Sequence, residues 1–129
     1  MKPGKSGISR MIDAAGYSFQ GLKFAWKNEA AFRQECFLAI ILLPIAFWLG
    51  ESSAQIILLV LPIFIILIVE LINSSIEAVV DRIGDEPHVL SGAAKDIGSA
   101  AVFVSFFLLF FVWLAVIIDN FLLNSVYQG

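Results

Sequence analysis

The chain has 129 residues, 60% of them hydrophobic and only 15% charged, and its mean hydropathy is strongly positive. That balance is far from the soluble average and leaves a small integral membrane protein as the one comfortable class. A formal net charge of -3, with no basic patch except beside the membrane, argues against a nucleic-acid partner, and the basic excess near the N-terminus suits anionic lipid headgroups instead.

Residues 1–7 (MKPGKSG) read as a flexible lead-in rich in Gly, Ser and Pro. From Ile8 the apolar residues recur as Ile8, Met11, Ile12, Ala15, Phe19, Leu22 and Trp26, with Arg10, Asp13, Gln20, Lys23 and Lys27 off the stripe. This spacing predicts an amphipathic helix over about 8–28 lying in the membrane interface. The alternative, a core helix of a soluble cap, lacks any other segment to form that cap. No secretory signal is expected, because the first thirty residues hold neither an uninterrupted apolar core nor a small-residue cleavage site.

Three apolar segments follow, with expected spans of about 30–49, 54–83 and 96–119 in a single domain covering 1–129. The first is marginal, being interrupted by Arg33, Gln34 and Glu35. Pro44 and Pro62 fall inside the first two, where lipid-embedded helices tolerate kinks. The lone Cys36 cannot form an intrachain disulfide and is expected as a packed thiol. Of eight Lys and Arg, six precede the first crossing (Lys2, Lys5, Arg10, Lys23, Lys27, Arg33) and two flank the second connection (Arg82, Lys95). The positive-inside rule then puts the N-terminus and the 84–96 connection in the cytoplasm, and the 50–55 turn and C-terminus outside.

The second segment carries the most informative pattern. Fourteen apolar residues, 56–69, lead without a turn signal into Glu70, Asn73, Ser74, Glu77 and Asp81. Helical geometry gathers these five side chains within an arc of roughly 100°. At about 1.5 Å per residue, Glu70 lies roughly 20 Å along a helix inside a hydrocarbon layer of roughly 30 Å. A carboxylate at that depth costs on the order of 3 kcal/mol unless paired or wetted, which marks it as functional by default.

Residues 84–96 (GDEPHVLSGAAKD), with two glycines, a proline and four charged groups, read as a cytoplasmic loop, with Lys95 and Asp96 at the entry to the third helix. Free N–H groups there would favour an anion and Lys95 would strengthen phosphate binding; the alternative is a topological anchor. His88, alone on a polar loop, reads as a solvated side chain.

Glu70 and Glu77 lie about 10 Å apart on one face, too far to share one ion, so two roles at two depths are expected. The deeper, desolvated Glu70 suits a general base near neutral pH. Glu77 can help hold Mg²⁺, with Glu29 or Glu35 at the edge of the first span as a further carboxylate. A polar seam joining helices in an oligomer is the structural alternative. No nucleotide-binding fingerprint is present, so residue pattern alone stops at a three-span protein with a wet, acidic, cytoplasm-facing cleft.

The run VELINSSIEAVVDRIG (69–84), followed by HVLSGAAKDIGSAAV (88–102), resembles the signature region of the prokaryotic diacylglycerol kinases, and AAGYSFQGLKFAWKNEAAFRQE (14–35) resembles that family's other marked region. The resemblance implies an all-α membrane protein: three transmembrane helices plus the N-terminal interfacial helix, assembled as a homotrimer with shared active sites in the bacterial inner membrane. It implies that ATP and 1,2-diacylglycerol give phosphatidic acid and ADP. By the family's motif Glu70 is the general base, and Glu29 and Glu77 hold the Mg²⁺ that bridges the ATP phosphates. Arg10, Tyr17, Lys95 and Asp96 match nucleotide-site positions, with Glu86 and His88 near the adenine side. Asn73 lines the same cleft, while Ala14, Ser18, Phe19, Lys23, Trp26, Ala31, Glu35, Trp48, Ser99 and Trp113 match positions along the lipid path, which Arg10, Tyr17 and Glu70 also touch.

The chain departs from the family pattern at Asp13 and Ala93, where relatives carry cations, and at Pro87, where they carry an aromatic. Within the family, undecaprenol is the alternative acceptor, since base and metal would be unchanged; the N-terminal segment favours diacylglycerol by analogy. From other classes come a proton-coupled transporter subunit, with Glu70 as proton carrier, and a purely structural trimer. Against the transporter stands the placement of every polar cluster on one side.

Overall fold

The computed structural model describes residues 6–129. Most of the expected lead-in, with Lys2 and Lys5 of the cationic bias, lies outside the described residues. The order is α1 (Gly7–Asn28), α2 (Ala30–Leu49), α3 (Ser53–Ile83), α4 (Val89–Ile117), a π-helical turn (Ile118–Leu123) and α5 (Asn124–Tyr127), with no strand among the described residues. Three helical stretches, Ala30–Leu49, Ser53–Ile83 and Val89–Tyr127, are long and apolar enough to cross a membrane. With α1 before them, the chain is an all-α multi-pass membrane protein.

Local chemistry sets the boundaries. Arg33, which interrupts the first apolar segment, reaches back so that Nη1 donates to the carbonyls of Trp26 at 2.7 Å and Lys27 at 3.2 Å. It thereby satisfies two of the carbonyls that the end of α1 leaves free. The Ser52 hydroxyl accepts from the Gln55 N–H at 3.2 Å and caps α3. Gly84 ends α3 with φ 156°, a conformation that side chains with a Cβ rarely adopt. Both α2 and α3 run on through Pro44 and Pro62.

The 84–96 connection corrects the sequence expectation. Only its first half is a loop: α4 begins at Val89, with His88 as N-cap, its Nδ1 accepting from the Leu90 N–H at 3.1 Å. Gly92 does not break the helix, because one glycine costs only about 1 kcal/mol and Ala93 and Ala94, the best helix formers, follow it. Lys95 and Asp96 therefore sit nearly two turns inside α4, away from its free N–H groups. His88 is a capping residue as well as an exposed one.

Packing is densest between α3 and α4, next between α2 and α3, and light between α1 and α2. The apolar core of Ala46, Leu49, Leu59 and Val116, supported by Val60 and Trp113, sits near the α2–α3 turn. Interior polar groups on α2 and α3 collect toward the other end, where α1 joins.

Candidate functional site

Glu70 is 4% exposed on α3 and Glu35 is 7% exposed on α2. Their carboxyl groups come within side-chain hydrogen-bonding reach of each other across the α2–α3 interface. The second Glu35 oxygen, Oε2, has no partner within the protein. Glu29, at the α1–α2 junction, and Glu77, two turns beyond Glu70, are half-buried and lie within electrostatic reach of Glu70.

One turn along the α3 face, Asn73 is 7% exposed and its Oδ1 is unpartnered. It faces Gly98 on α4, where a Cβ would collide with that oxygen. Ser74 Oγ is likewise buried without a partner. Ser74 also lines an apolar groove of about 560 Å³ between α1 and α3, with Ser18, Leu22, Ala25, Leu71 and Ala78 along its walls. Buried polar atoms are almost always paired in folded proteins, so three orphans within one region mark a place where something else binds.

Magnesium takes one or two carboxylates and draws its remaining ligands from substrate phosphates and water. Among the described residues no group of three or more acidic, His or Cys side chains could hold a metal alone. The hard carboxylate oxygens of Glu29 and Glu77 fit the partial donor set that a phosphate-bound ion requires.

Toward the α3–α4 loop the character changes from buried to exposed. Asp81, Glu86, His88 and Lys95 line a cleft of about 360 Å³, and Lys95 Nζ pairs with Asp81 Oδ1 at 2.7 Å. Asp96 and Ser99 are exposed on α4 near by in sequence.

The remaining expected positions spread over a longer path. Arg10, Ala14, Tyr17, Ser18, Phe19, Lys23 and Trp26 are exposed on α1, with Ala31 exposed in the first turn of α2. The Trp26 ring lies against Phe37 at 5.9 Å, tying α1 to α2. Trp48 lies thirteen residues beyond Glu35, roughly 20 Å along α2. Trp113 donates its indole N–H to the Leu59 carbonyl at 3.0 Å, in the far half of the bundle. The structure does not bring these two tryptophans to the carboxylates. Sequence reasoning missed Gly98 as the partner surface of Asn73 and the Glu35–Glu70 pairing; both depend on interhelical register, for which a single helix carries no signal.

Comparison with known proteins bears on the same residues. The sequence profile of the family described as prokaryotic diacylglycerol kinase matches residues 16–117, which include the carboxylates, Asn73, Gly98 and Lys95. The chain is 52% identical to the diacylglycerol kinase of Haemophilus influenzae over 108 residues, covering 84% of this chain and 92% of that protein. It is 47% identical to the Escherichia coli K12 diacylglycerol kinase over 116 residues, 90% of this chain and 95% of that protein. With the Pseudomonas aeruginosa diacylglycerol kinase it shares 44% identity over 115 residues, 89% of this chain and 94% of that protein.

Proposed function

The chain belongs to the prokaryotic diacylglycerol kinase family, and on that premise we propose that it phosphorylates 1,2-diacylglycerol with ATP at the cytoplasmic face of a bacterial inner membrane. Phosphatidic acid and ADP are the products. Each relative named above is a diacylglycerol kinase, which favours diacylglycerol over undecaprenol as acceptor and phosphoryl transfer over proton transport.

The observation that carries the mechanism is Glu70, a buried carboxyl within an apolar helix and one turn from Ser74, which lines the α1–α3 groove. A diacylglycerol anchored by its acyl chains presents its hydroxyl from the interface without leaving the bilayer. The groove, apolar along Leu22, Ala25 and Leu71 and polar at Ser18 and Ser74, suits such an amphiphile. Glu70 takes the hydroxyl proton as the lipid oxygen bonds to the γ-phosphorus and the bond to the ADP oxygen breaks. Glu35, beside it across the α2–α3 interface, holds the Glu70 carboxyl in place. Glu29 and Glu77 would hold the divalent cation, and a bound Mg²⁺ would neutralise charge on the ATP phosphates. Lys95 and Arg10 add cationic contacts, while Tyr17, Glu86, His88 and Asp96 complete the nucleotide side. His88 keeps Nε2 free, since Nδ1 caps α4.

Three copies complete the unit. A lone protomer leaves Phe103, Phe107, Phe110 and Phe111 at 63–72% exposure and Glu35 Oε2, Asn73 Oδ1 and Ser74 Oγ without a hydrogen-bond partner. A homotrimer packs a neighbour's helices against the protomer and shares the sites between subunits. A monomeric mass with full activity in detergent would contradict the trimer.

The deciding experiment measures Mg²⁺-dependent ATP consumption in mixed micelles, with dioleoylglycerol or undecaprenol as acceptor. Wild type is expected to phosphorylate the diacylglycerol, and Glu70→Gln to lose about a hundredfold to ten-thousandfold in kcat, the range of a general base. Activity on undecaprenol alone would change the acceptor and keep the base. No phosphorylation of either lipid would overturn the proposal.

A further inference from the structure

Asp81 closes the polar stripe of α3 and has no part in the chemistry proposed above. Its carboxylate reaches across to α4, where Oδ1 accepts from Lys95 Nζ at 2.7 Å. The pair joins the two helices that pack most extensively against each other, so both ends of the bridge stand on a rigid base. It also forms one wall of the 360 Å³ cleft beside the α3–α4 loop.

Charge makes that bridge consequential. The residues lining the cleft include three carboxylates, Asp81, Asp85 and Glu86, and Lys95 is the only Lys or Arg among them. A triphosphate entering such a cleft meets a negative wall, so the position of one ammonium group decides whether its phosphates are attracted or repelled. Lys95 is 45% exposed in its side chain, and a lysine on a flexible four-carbon stem would otherwise sample many rotamers. An ammonium has three donors. Asp81 engages one and leaves the others for phosphate oxygens, while its negative charge is neutralised by the same contact.

We propose that Asp81 is the positioning residue that holds the Lys95 ammonium at the wall of this cleft for the phosphates of a nucleoside triphosphate. The inference rests on the reading of this cleft as the nucleotide side of the site. Asp81 acts before the nucleotide arrives, by sparing Lys95 the loss of rotamer freedom on binding. Its removal therefore weakens nucleotide capture and leaves the chemical step alone.

The test is steady-state kinetics in diacylglycerol mixed micelles for wild type, Asp81→Asn, Asp81→Glu, Lys95→Met and the double variant Asp81→Asn with Lys95→Met. Asp81→Asn is expected to raise the KM for MgATP about threefold to fivefold, the upper range for an exposed ion pair, with kcat and the KM for diacylglycerol unchanged. Asp81→Glu should restore most of the loss, which a merely structural role would not predict. In the Lys95→Met background Asp81→Asn should add nothing. Three results would overturn the inference while Lys95→Met still raises the KM for MgATP: no change in Asp81→Asn, a lower KM showing that Asp81 competes with the nucleotide, or the same increment in both backgrounds. An unchanged KM in Lys95→Met would instead remove the nucleotide reading of the cleft, and the inference with it.

Discussion

The two ends of the α3–α4 pair bury polar groups in opposite ways. At the turn end, Asn120 is 7% exposed within the π-helical turn, and its Nδ2 donates to the Leu49 carbonyl at 3.0 Å and to Gln55 Oε1 at 2.9 Å. Gln55 Nε2 returns bonds to Asn120 Oδ1 at 2.8 Å and Asp119 Oδ2 at 3.3 Å. Asn124 reaches Glu51 Oε2 at 3.3 Å. Each of these amides answers another group of the same protomer. At the carboxylate end, Glu35 Oε2, Asn73 Oδ1 and Ser74 Oγ answer nothing. An unsatisfied buried polar atom costs about 1–3 kcal/mol. The turn end therefore works as a clasp that stabilises the fold, while the carboxylate end carries a cost that a bound substrate or a neighbouring copy can relieve.

The sharpest way to test that division is Gly98→Ala. The new Cβ would collide with Asn73 Oδ1, so the buried amide must give up its present position, turning toward the 160 Å³ cavity that Asn73 lines with Ile72, Ile76 and Ala101. Displacing a site group by about 1 Å can cost on the order of a hundredfold in rate, and overpacking of this kind costs about 1–3 kcal/mol in stability. We expect kcat to fall by roughly that factor, with a moderate loss of thermal stability in detergent. Adding Asn73→Ala should recover the stability and leave the activity low. Wild-type activity in Gly98→Ala would show that the position of Asn73 is immaterial.

Asn120→Ala probes the other end. It strands the Leu49 carbonyl and takes one of two partners from each polar atom of the Gln55 side chain, which keeps Asp119 Oδ2 and the Glu51 N–H, for an expected loss of about 1–3 kcal/mol. The apparent melting temperature in detergent should drop by several degrees, while specific activity well below the transition stays at the wild-type value. A parallel fall in kcat at a temperature where the fold is intact would erase the distinction between the two ends.

Much of this division is written along single helices. The 3.6-residue period places Glu70, Asn73, Ser74, Glu77 and Asp81 on one face, and the structure buries Glu70 and Asn73 while Asp81 emerges at the exposed end. The starts and ends of α1, α2 and α3 follow from hydropathy and from the charged interruptions between them. What single-helix patterns do not carry is register between helices. Glu35 meets Glu70, and Asn73 meets Gly98, because of how α2, α3 and α4 are offset against one another. Backbone exceptions are equally silent: the π turn that carries Asn120 begins where the expected third span ends, at Asp119-Asn120, and leads into α5 beyond it. Arg33 looked like a fault in a span and is a cap for α1. In α4, Gly92 weighed toward a loop, whereas Ala93 and Ala94 after it sustain the helix.

Ser74→Ala carries the smallest effect and the most discriminating sign. Its hydroxyl is buried without a partner, so deleting one oxygen relieves a desolvation penalty and leaves almost no cavity. Stability should rise by up to about 1 kcal/mol, seen as a small upward shift in detergent melting. Ser74 itself stands in the wall of the 560 Å³ groove assigned to the lipid, where a rotation about χ1 would bring the hydroxyl to the glycerol portion of the substrate. The KM for diacylglycerol should therefore rise a few fold while kcat holds, the opposite pairing from Asn120→Ala, in which stability falls and catalysis is kept. A destabilised Ser74→Ala would mean that a neighbouring copy already satisfies Oγ in the assembled protein, and the groove would then lose its polar anchor for the lipid.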